Sequence, residues 1–288
     1  MSYLKFEFKK AFLNKWFAGS LLIMTLLAIL CAIGAYGFFS ELYAYLLDQS
    51  KVADPDFPMM SMFTYLLFTR SDQPATEAFY ILLPLIAVIP YSWSLCKEKS
   101  NAYLDNIYSR IAKWRYILAK TIATFSCSFA VMAIPLTINL IVTACLIPAF
   151  ENDISAFIYS GLDHSRLWSN FFYNQPIAYC LLFILLTSSF SGFWACAVQI
   201  IGTFASRPDK LIASSYVILY CFQAFEEKIQ TCIWDNNIET LSLSPLEFIR
   251  GVSANDSLTN EMSFIPWIVL LLGIWLIFLH LNKNRDEL

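Results

Sequence analysis

The sequence predicts an all-α membrane protein. It has six transmembrane helices, an amphipathic interface helix before the first, and re-entrant or short extracellular helices between the fifth and sixth. Three observations lead there. Of 288 residues 58% are hydrophobic and 14% charged, against ~45–50% and ~25% in soluble domains. The apolar residues come in long uninterrupted runs separated by short polar stretches. Lys and Arg, finally, are concentrated in alternate loops, an asymmetry that the net charge of −3 conceals. No strongly basic patch points to nucleic acid, and the whole chain, 1–288, reads as one membrane domain.

Residues 1–16 form the first element. Tyr3, Leu4, Phe6, Phe8, Ala11, Phe12 and Trp16 interleave with Lys5, Glu7, Lys9, Lys10 and Lys15. As a helix this places bulky residues on a broad face with lysines beside or opposite them, which suits the headgroup plane of an anionic inner leaflet. The plainer reading is a topogenic flank.

Crossing ~30 Å of hydrocarbon takes ~20 apolar helical residues, because lipid offers backbone groups no hydrogen bonds. Six runs qualify as candidates: Phe17 to Phe39, Ala78 to Leu95, Ile117 to Ile147, Ile177 to Phe204, Leu211 to Phe225, and Phe264 to Leu281. The first carries Ala35 and Gly37 in a small-x-small pattern, but its apolar stretch is too long for a cleaved secretory signal. The fifth, with 15 residues, makes about 22 Å of helix and needs completion. The following segment, 226–263, mixes charges with Ile229, Ile233, Trp234, Leu243, Leu246 and Phe248. It is expected to form short helices that dip back into the outer leaflet, or alternatively a small exposed cap.

With the N-terminus inside, 14 of the 19 basic residues fall in inside segments and 16 of the 22 acidic residues outside. Both termini are therefore expected in the cytoplasm, in a multi-pass protein of the cell's inner (plasma) membrane. The last four residues, Arg285 to Leu288, match a luminal retention signal, which a cytoplasmic tail cannot use.

The first inside loop, Lys97 to Lys120, reads KEKSNAYLDNIYSRIAKWRYILAK. In helical register Tyr103, Ile107 and Arg110 or Ile111 recur on one face, so a short amphipathic helix offers a mixed aromatic and charged surface to a cytosolic partner. Taken alone, the loop need only set topology.

Here the chain resembles the ABC-2 family of transporter permeases, the membrane subunits of many bacterial exporters, over nearly its whole length. The resemblance lies in the order of parts: a lysine-bearing N-terminal segment with Glu7, the Glu98-Lys99 pair before a short helix, and Ser109 to Lys120 ending in a lysine at the mouth of the third span. Asn101, Arg110 and Ala112 stand where glycine, proline and serine are common in the family. The resemblance implies that 97–116 is a coupling loop seated in a cleft of a cytosolic ABC ATP-binding subunit. Glu98, Lys99, Asn101, Tyr103, Asp105, Ile107, Arg110 and Lys113 are its candidate contacts. It also implies a second permease subunit, identical or not, with spans one, two and five lining the interface.

The chain's own chemistry is sparse. A phosphate-cradling loop needs glycines followed by Lys and Ser or Thr; none of the eight glycines precedes a lysine, so no cofactor is expected here and ATP and Mg belong to the partner. Glu226-Glu227 resembles the paired glutamates of CPBP intramembrane proteases. That family's arginine is missing, however, since Thr231 and Cys232 stand nearby, and His164 and His280 fall at opposite sides. No enzymatic role or metal site is expected. The eight cysteines lack the spacing of a disulfide framework.

Asn139, Gln199 and Gln223 are polar groups within spans. They serve either interhelical hydrogen bonding or a substrate path. Ser188, Gly192 and Cys196 give the fourth span a small-residue face, and Pro84, Pro90 and Pro135 are positioned to bend spans two and three. The expected function is outward movement of an amphiphile, a peptide or peptide antibiotic ahead of a lipid-linked glycan or other lipid. The competing class is a polytopic membrane sensor or assembly scaffold.

Overall fold

The computed structural model describes residues 3–49, 61–69, 73–100, 107–108, 112–150, 162, 166–205, 207–234, 241–251 and 259–284. In chain order the helices are α1, Tyr3–Phe12; α2, Lys15–Gln49; α3, Pro74–Val88; α4, Ser94–Ser100; and α5, Lys113–Leu146. There follow α6, Ser169–Asn174; α7, Pro176–Ile201; α8, Pro208–Trp234; α9, Pro245–Phe248; and α10, Glu261–Asn284.

Among the described residues four helices are long and apolar enough to cross a membrane: α2 over Lys15–Ala44, α5, α7, and α10 over Glu261–Asn282. They correspond to spans one, three, four and six of the sequence. The other two expected spans are built differently. Span two is a 15-residue helix, α3, followed by turns through Ile89 to Trp93 and the separate helix α4. Pro90 lies in those turns and has no N–H to continue the ladder. Span five lies within α8, whose 27 residues make about 40 Å of helix. It needs no second helix to reach that length, because Glu226 to Trp234 continue it. Gln223 donates to Glu227 at 2.9 Å and Gln230 to Glu226 at 3.3 Å. These are i, i+4 pairs of the kind that support a helix through a polar stretch.

The core is organised on α7. Of its apolar window 72% is buried, against 11% for α10, so α7 is the central post and α10 a peripheral one. The small face of α7 meets α5. A Cβ on Gly192 would come within 2.7 Å of the Phe125 ring, and Cys196 Sγ donates to the Thr121 carbonyl at 3.4 Å. Glycine leaves room there for the Phe125 ring to lie against the α7 backbone.

Two segments with no more than a single helical turn each fill the end of the bundle where α7 begins. Ser61–Thr69, between α2 and α3, is almost wholly buried, Leu66 to Phe68 included. Its backbone is satisfied through Met62 N to the Pro148 carbonyl at 2.9 Å and Leu67 N to Asn139 Oδ1 at 3.1 Å, as buried non-helical backbone must be. Leu241–Gly251 lies alongside α7: Phe248 meets Phe190 edge-on at 5.7 Å, and Gly251 N donates to the Phe68 carbonyl at 2.7 Å. Arg250 ties this segment to α3, pairing with Glu77 at 3.1 Å and standing 4.8 Å over the Tyr80 ring.

Candidate functional site

At the opposite end of the bundle, α1, α4 and the start of α5 converge on two buried carboxylates. In α1, Tyr3, Glu7 and Ala11 recur every four residues and so share one face. Glu7 and Ala11 are its buried members, and the face rests on α5, where Cys127 Sγ lies 3.7 Å from the Ala11 carbonyl. Phe8 and Phe12 stack at 5.9 Å and pack towards Tyr91 and Phe17. The chain then turns at Asn14, whose Oδ1 caps α2 by accepting from Trp16 N at 3.3 Å. Its Nδ2 donates to the Pro90 carbonyl at 3.0 Å. That bond joins the α1–α2 corner to the break in span two.

Glu7 accepts from the Tyr3 hydroxyl at 2.6 Å and the Tyr91 hydroxyl at 2.5 Å. Glu98, on α4, accepts from Lys10 of α1 and from both Lys120 and Tyr116 of α5. Lys120 is 1% exposed and also donates to the Tyr116 hydroxyl at 3.1 Å. Its ammonium stands 5.3 Å and 5.7 Å from the centres of the Tyr116 and Tyr91 rings. Two carboxylates thus meet two lysines among three tyrosines, a balanced set that lets charge persist away from water. Burial alone would raise the Glu98 carboxyl, but Lys120, Lys10 and Tyr116 outweigh it and hold it below the usual glutamate range. Burial, reinforced by Glu7, pushes the Tyr3 phenol far above its ordinary value, so the tyrosine remains a donor. Such a knot holds three elements in one geometry.

The loop residues expected to contact a partner divide into three groups. Glu98 faces inward, as described. Lys99 is exposed and donates to the Thr203 carbonyl at 2.6 Å, in the turn that leaves α7. Ile107 is half-buried against a cluster of Leu95, Tyr116 and Ile117. Beside it Tyr108 meets Tyr116 edge-on at 5.8 Å, with Lys113 Nζ 5.5 Å from the Tyr108 ring centre. Asn101, Tyr103, Asp105 and Arg110 lie outside the described residues.

The three polar residues within spans also separate. Asn139 is used inside the chain: besides accepting from Leu67 N, its Nδ2 donates to the Ala28 carbonyl of α2 at 2.9 Å. Gln199 is wholly buried, and neither its amide oxygen nor its nitrogen has a hydrogen-bond partner. Gln223 lies at the half-exposed surface of α8, bonded to Glu227. The three stand on different helices, α5, α7 and α8.

Sequence reasoning missed Lys10, Tyr91 and Tyr116 as partners of Glu98 and Glu7. The visible signal was two Glu, two Lys and three Tyr in the segments flanking spans one to three. Among the described residues no three His, Cys, Asp or Glu side chains gather as a metal site. Compared with family models, with curated proteins and with solved structures, the chain finds no match.

Proposed function

We propose that the chain is the membrane subunit of an ATP-driven exporter. In this reading it crosses the inner (plasma) membrane six times with both termini in the cytoplasm. It pairs with a second such subunit and with cytosolic ATP-binding subunits that hold ATP and Mg. The observation that carries the reading is the Glu98 knot, which couples α4, immediately before the loop, to α1 and to the base of α5. A push delivered to that loop moves those three elements together, the mechanical requirement for a coupling device. The order of parts that resembles ABC-2 permeases supports the same assignment.

Within this reading Glu98 is a positioning residue rather than a contact, whereas Lys99 and Arg110 remain contact candidates. The 241–251 segment, alongside α7 from Tyr179 to Phe190, supports re-entry from the outer side. The exposed apolar residues of α2 and α8, among them Leu22, Leu26, Leu30, Val217 and Ile218, support burial against a second subunit. The aromatic, uncharged spans favour an amphiphilic cargo, a peptide before a lipid.

Purification of the tagged chain from its native membranes in mild detergent tests the assignment. The expected result is stoichiometric recovery of a cytosolic ATP-binding protein. Reproducible recovery of the intact chain alone would favour a sensor or scaffold.

A further inference from the structure

Midway along α2 a side chain from outside the helix reaches both halves of one backbone rung. Ala35 N and the Cys31 carbonyl are a donor and acceptor of the kind an α-helix pairs at i and i−4. The Gln73 amide, oriented to fit its surroundings, donates to that carbonyl at 3.0 Å and accepts from that N–H at 3.0 Å. Gln73 is the N-cap residue of α3, yet its side chain makes no capping bond to α3 and reaches across to α2 instead. Gly34 leaves room for the approach, since a Cβ there would stand 3.0 Å from the same amide. Thr76, in the first turn of α3, meets α2 at the same level, its Oγ1 3.5 Å from Cys31 Sγ.

One turn earlier in α2, Asn139 of α5 donates to the Ala28 carbonyl at 2.9 Å. Ala28, Cys31 and Ala35 share one face of the helix, and all three are buried. Amide side chains from two neighbouring elements therefore engage the backbone ladder of α2 within two turns. Long helices kink where a side chain inserts into the i→i−4 ladder, and glycine is the weakest helix former after proline. Both conditions meet at this rung.

We propose that α2 is jointed there. In one position Ala35 N bonds to the Cys31 carbonyl. In the other the rung opens and Gln73 holds both groups, so that neither is left unmet in an apolar interior. Residues 15–31 are fixed to α5 through Asn139. Residues 35–49 rest on the 61–69 segment through Phe38 and Phe39, whose rings lie 6.2 Å and 6.1 Å from that of Tyr65. Apolar attraction of this kind is non-directional and persists as the angle of the helix changes. The joint is a property of α2 itself and holds whether or not the chain transports anything.

Pulsed electron paramagnetic resonance on the full chain, in nanodiscs of phosphatidylcholine and phosphatidylglycerol, tests the joint. Spin labels at Tyr43→Cys and Ile141→Cys report residues 35–49 against α5, and labels at Leu22→Cys and Ile141→Cys report residues 15–31. Tyr43, Ile141 and Leu22 are all exposed. The exposed native cysteines, Cys145, Cys221 and Cys232, are first exchanged for serine. Two distance populations are expected for the Tyr43 pair and one for the Leu22 pair. Gln73→Leu keeps the bulk of the side chain but removes its donor and its acceptor. It should abolish the second Tyr43 population and leave the Leu22 distance unchanged. Gly34→Ala, which crowds the amide, should do the same, and it carries the test if Gln73→Leu fails to fold. A single Tyr43 population in the wild type, or two that survive both substitutions, overturns the proposal. Two populations shared by both pairs would mean that α2 moves as one rigid rod, and overturn it equally.

Discussion

Glu98 concentrates the energetics of the knot in one side chain. Glu98→Gln leaves Lys120 charged, 1% exposed and without its counter-ion, and breaking one side of a buried pair typically costs about 3–5 kcal/mol. Replacing both partners with apolar or neutral groups removes the stranded charge, so Glu98→Gln with Lys120→Met should recover most of that loss. A thermal or denaturant double-mutant cycle reads the difference; additive single effects would mean that the pair is not coupled. The pH dependence carries a definite sign. The folded carboxyl lies below its ordinary value, so its contribution is complete above the unfolded glutamate pKa of about 4.3 and is lost as the pH falls through the folded value. The stability gap between wild type and Glu98→Gln should be constant from pH 6 to 8 and close in acid. A gap that persists unchanged to the lowest accessible pH would contradict the assignment. Asn139 poses the complementary case of a neutral group. Asn139→Leu strands Leu67 N, and an unmet buried donor costs about 1–3 kcal/mol. The loss should appear as lower stability together with faster proteolysis near residues 61–69.

Between helices the decisive contact is Gly192 against Phe125. A Cβ there needs the base of an aromatic ring to move, because Cγ as well as the ring edge stands in its way at 3.2 Å and 2.7 Å. Overpacking of this kind costs about 1–3 kcal/mol. Gly273, in α10, has nothing within 4 Å of a built Cβ, and Gly273→Ala should instead stabilise its helix by about 0.5–1 kcal/mol. Opposite shifts in unfolding temperature are expected; shifts of the same sign would mean that α5 and α7 are not packed this closely. The small face of α7 was legible, since Ser188, Gly192 and Cys196 stand at helical spacing, and the four long helices were legible as unbroken apolar runs. Ser61–Thr69 was not. Its seven apolar and hydroxylic residues from Met62 to Phe68 are too few for a span and therefore read as loop. They pack into the main core, and Leu67 N finds its acceptor in Asn139, 72 positions away in the chain. The continuation of α8 past Phe225 was hidden for the opposite reason: two adjacent glutamates look like a helix end, and only their pairing with Gln223 and Gln230 carries the helix through.

Over the whole molecule, the ends of the bundle differ in kind. Where α7 begins, the segments 61–69 and 241–251 and an aromatic cluster of Phe68, Phe172, Tyr179 and Phe183 fill the space between the long helices. Where α7 ends, a charged knot joins α1, α4 and α5 beside the loop. In the sequence, the resemblance to ABC-2 permeases rather than loop charge singled out Glu98, as a candidate contact for a partner. It did not reveal that Glu98 looks inward, because its partners Lys10 and Lys120 are 88 and 22 positions away, separations that no local pattern reports. The distinction changes how coupling is to be tested. Reversal at Glu98 disrupts folding and coupling together and cannot distinguish them. Lys99, on α4, is exposed and bonds outward to the Thr203 carbonyl of the turn beyond α7, so its reversal leaves the knot intact. With the ATP-binding partner assembled, Lys99→Glu combined with Arg110→Glu should lower cargo-stimulated ATP hydrolysis by about tenfold or more, as loss of close charge pairs across an interface does. Its unfolding temperature should match the wild type. Glu98→Gln should show the reverse weighting, a large fall in unfolding temperature with coupling lost only in proportion to the protein unfolded. If the Lys99/Arg110 double retains full stimulation in an intact complex, force does not pass through this loop, and the knot is a structural clamp at the base of the bundle.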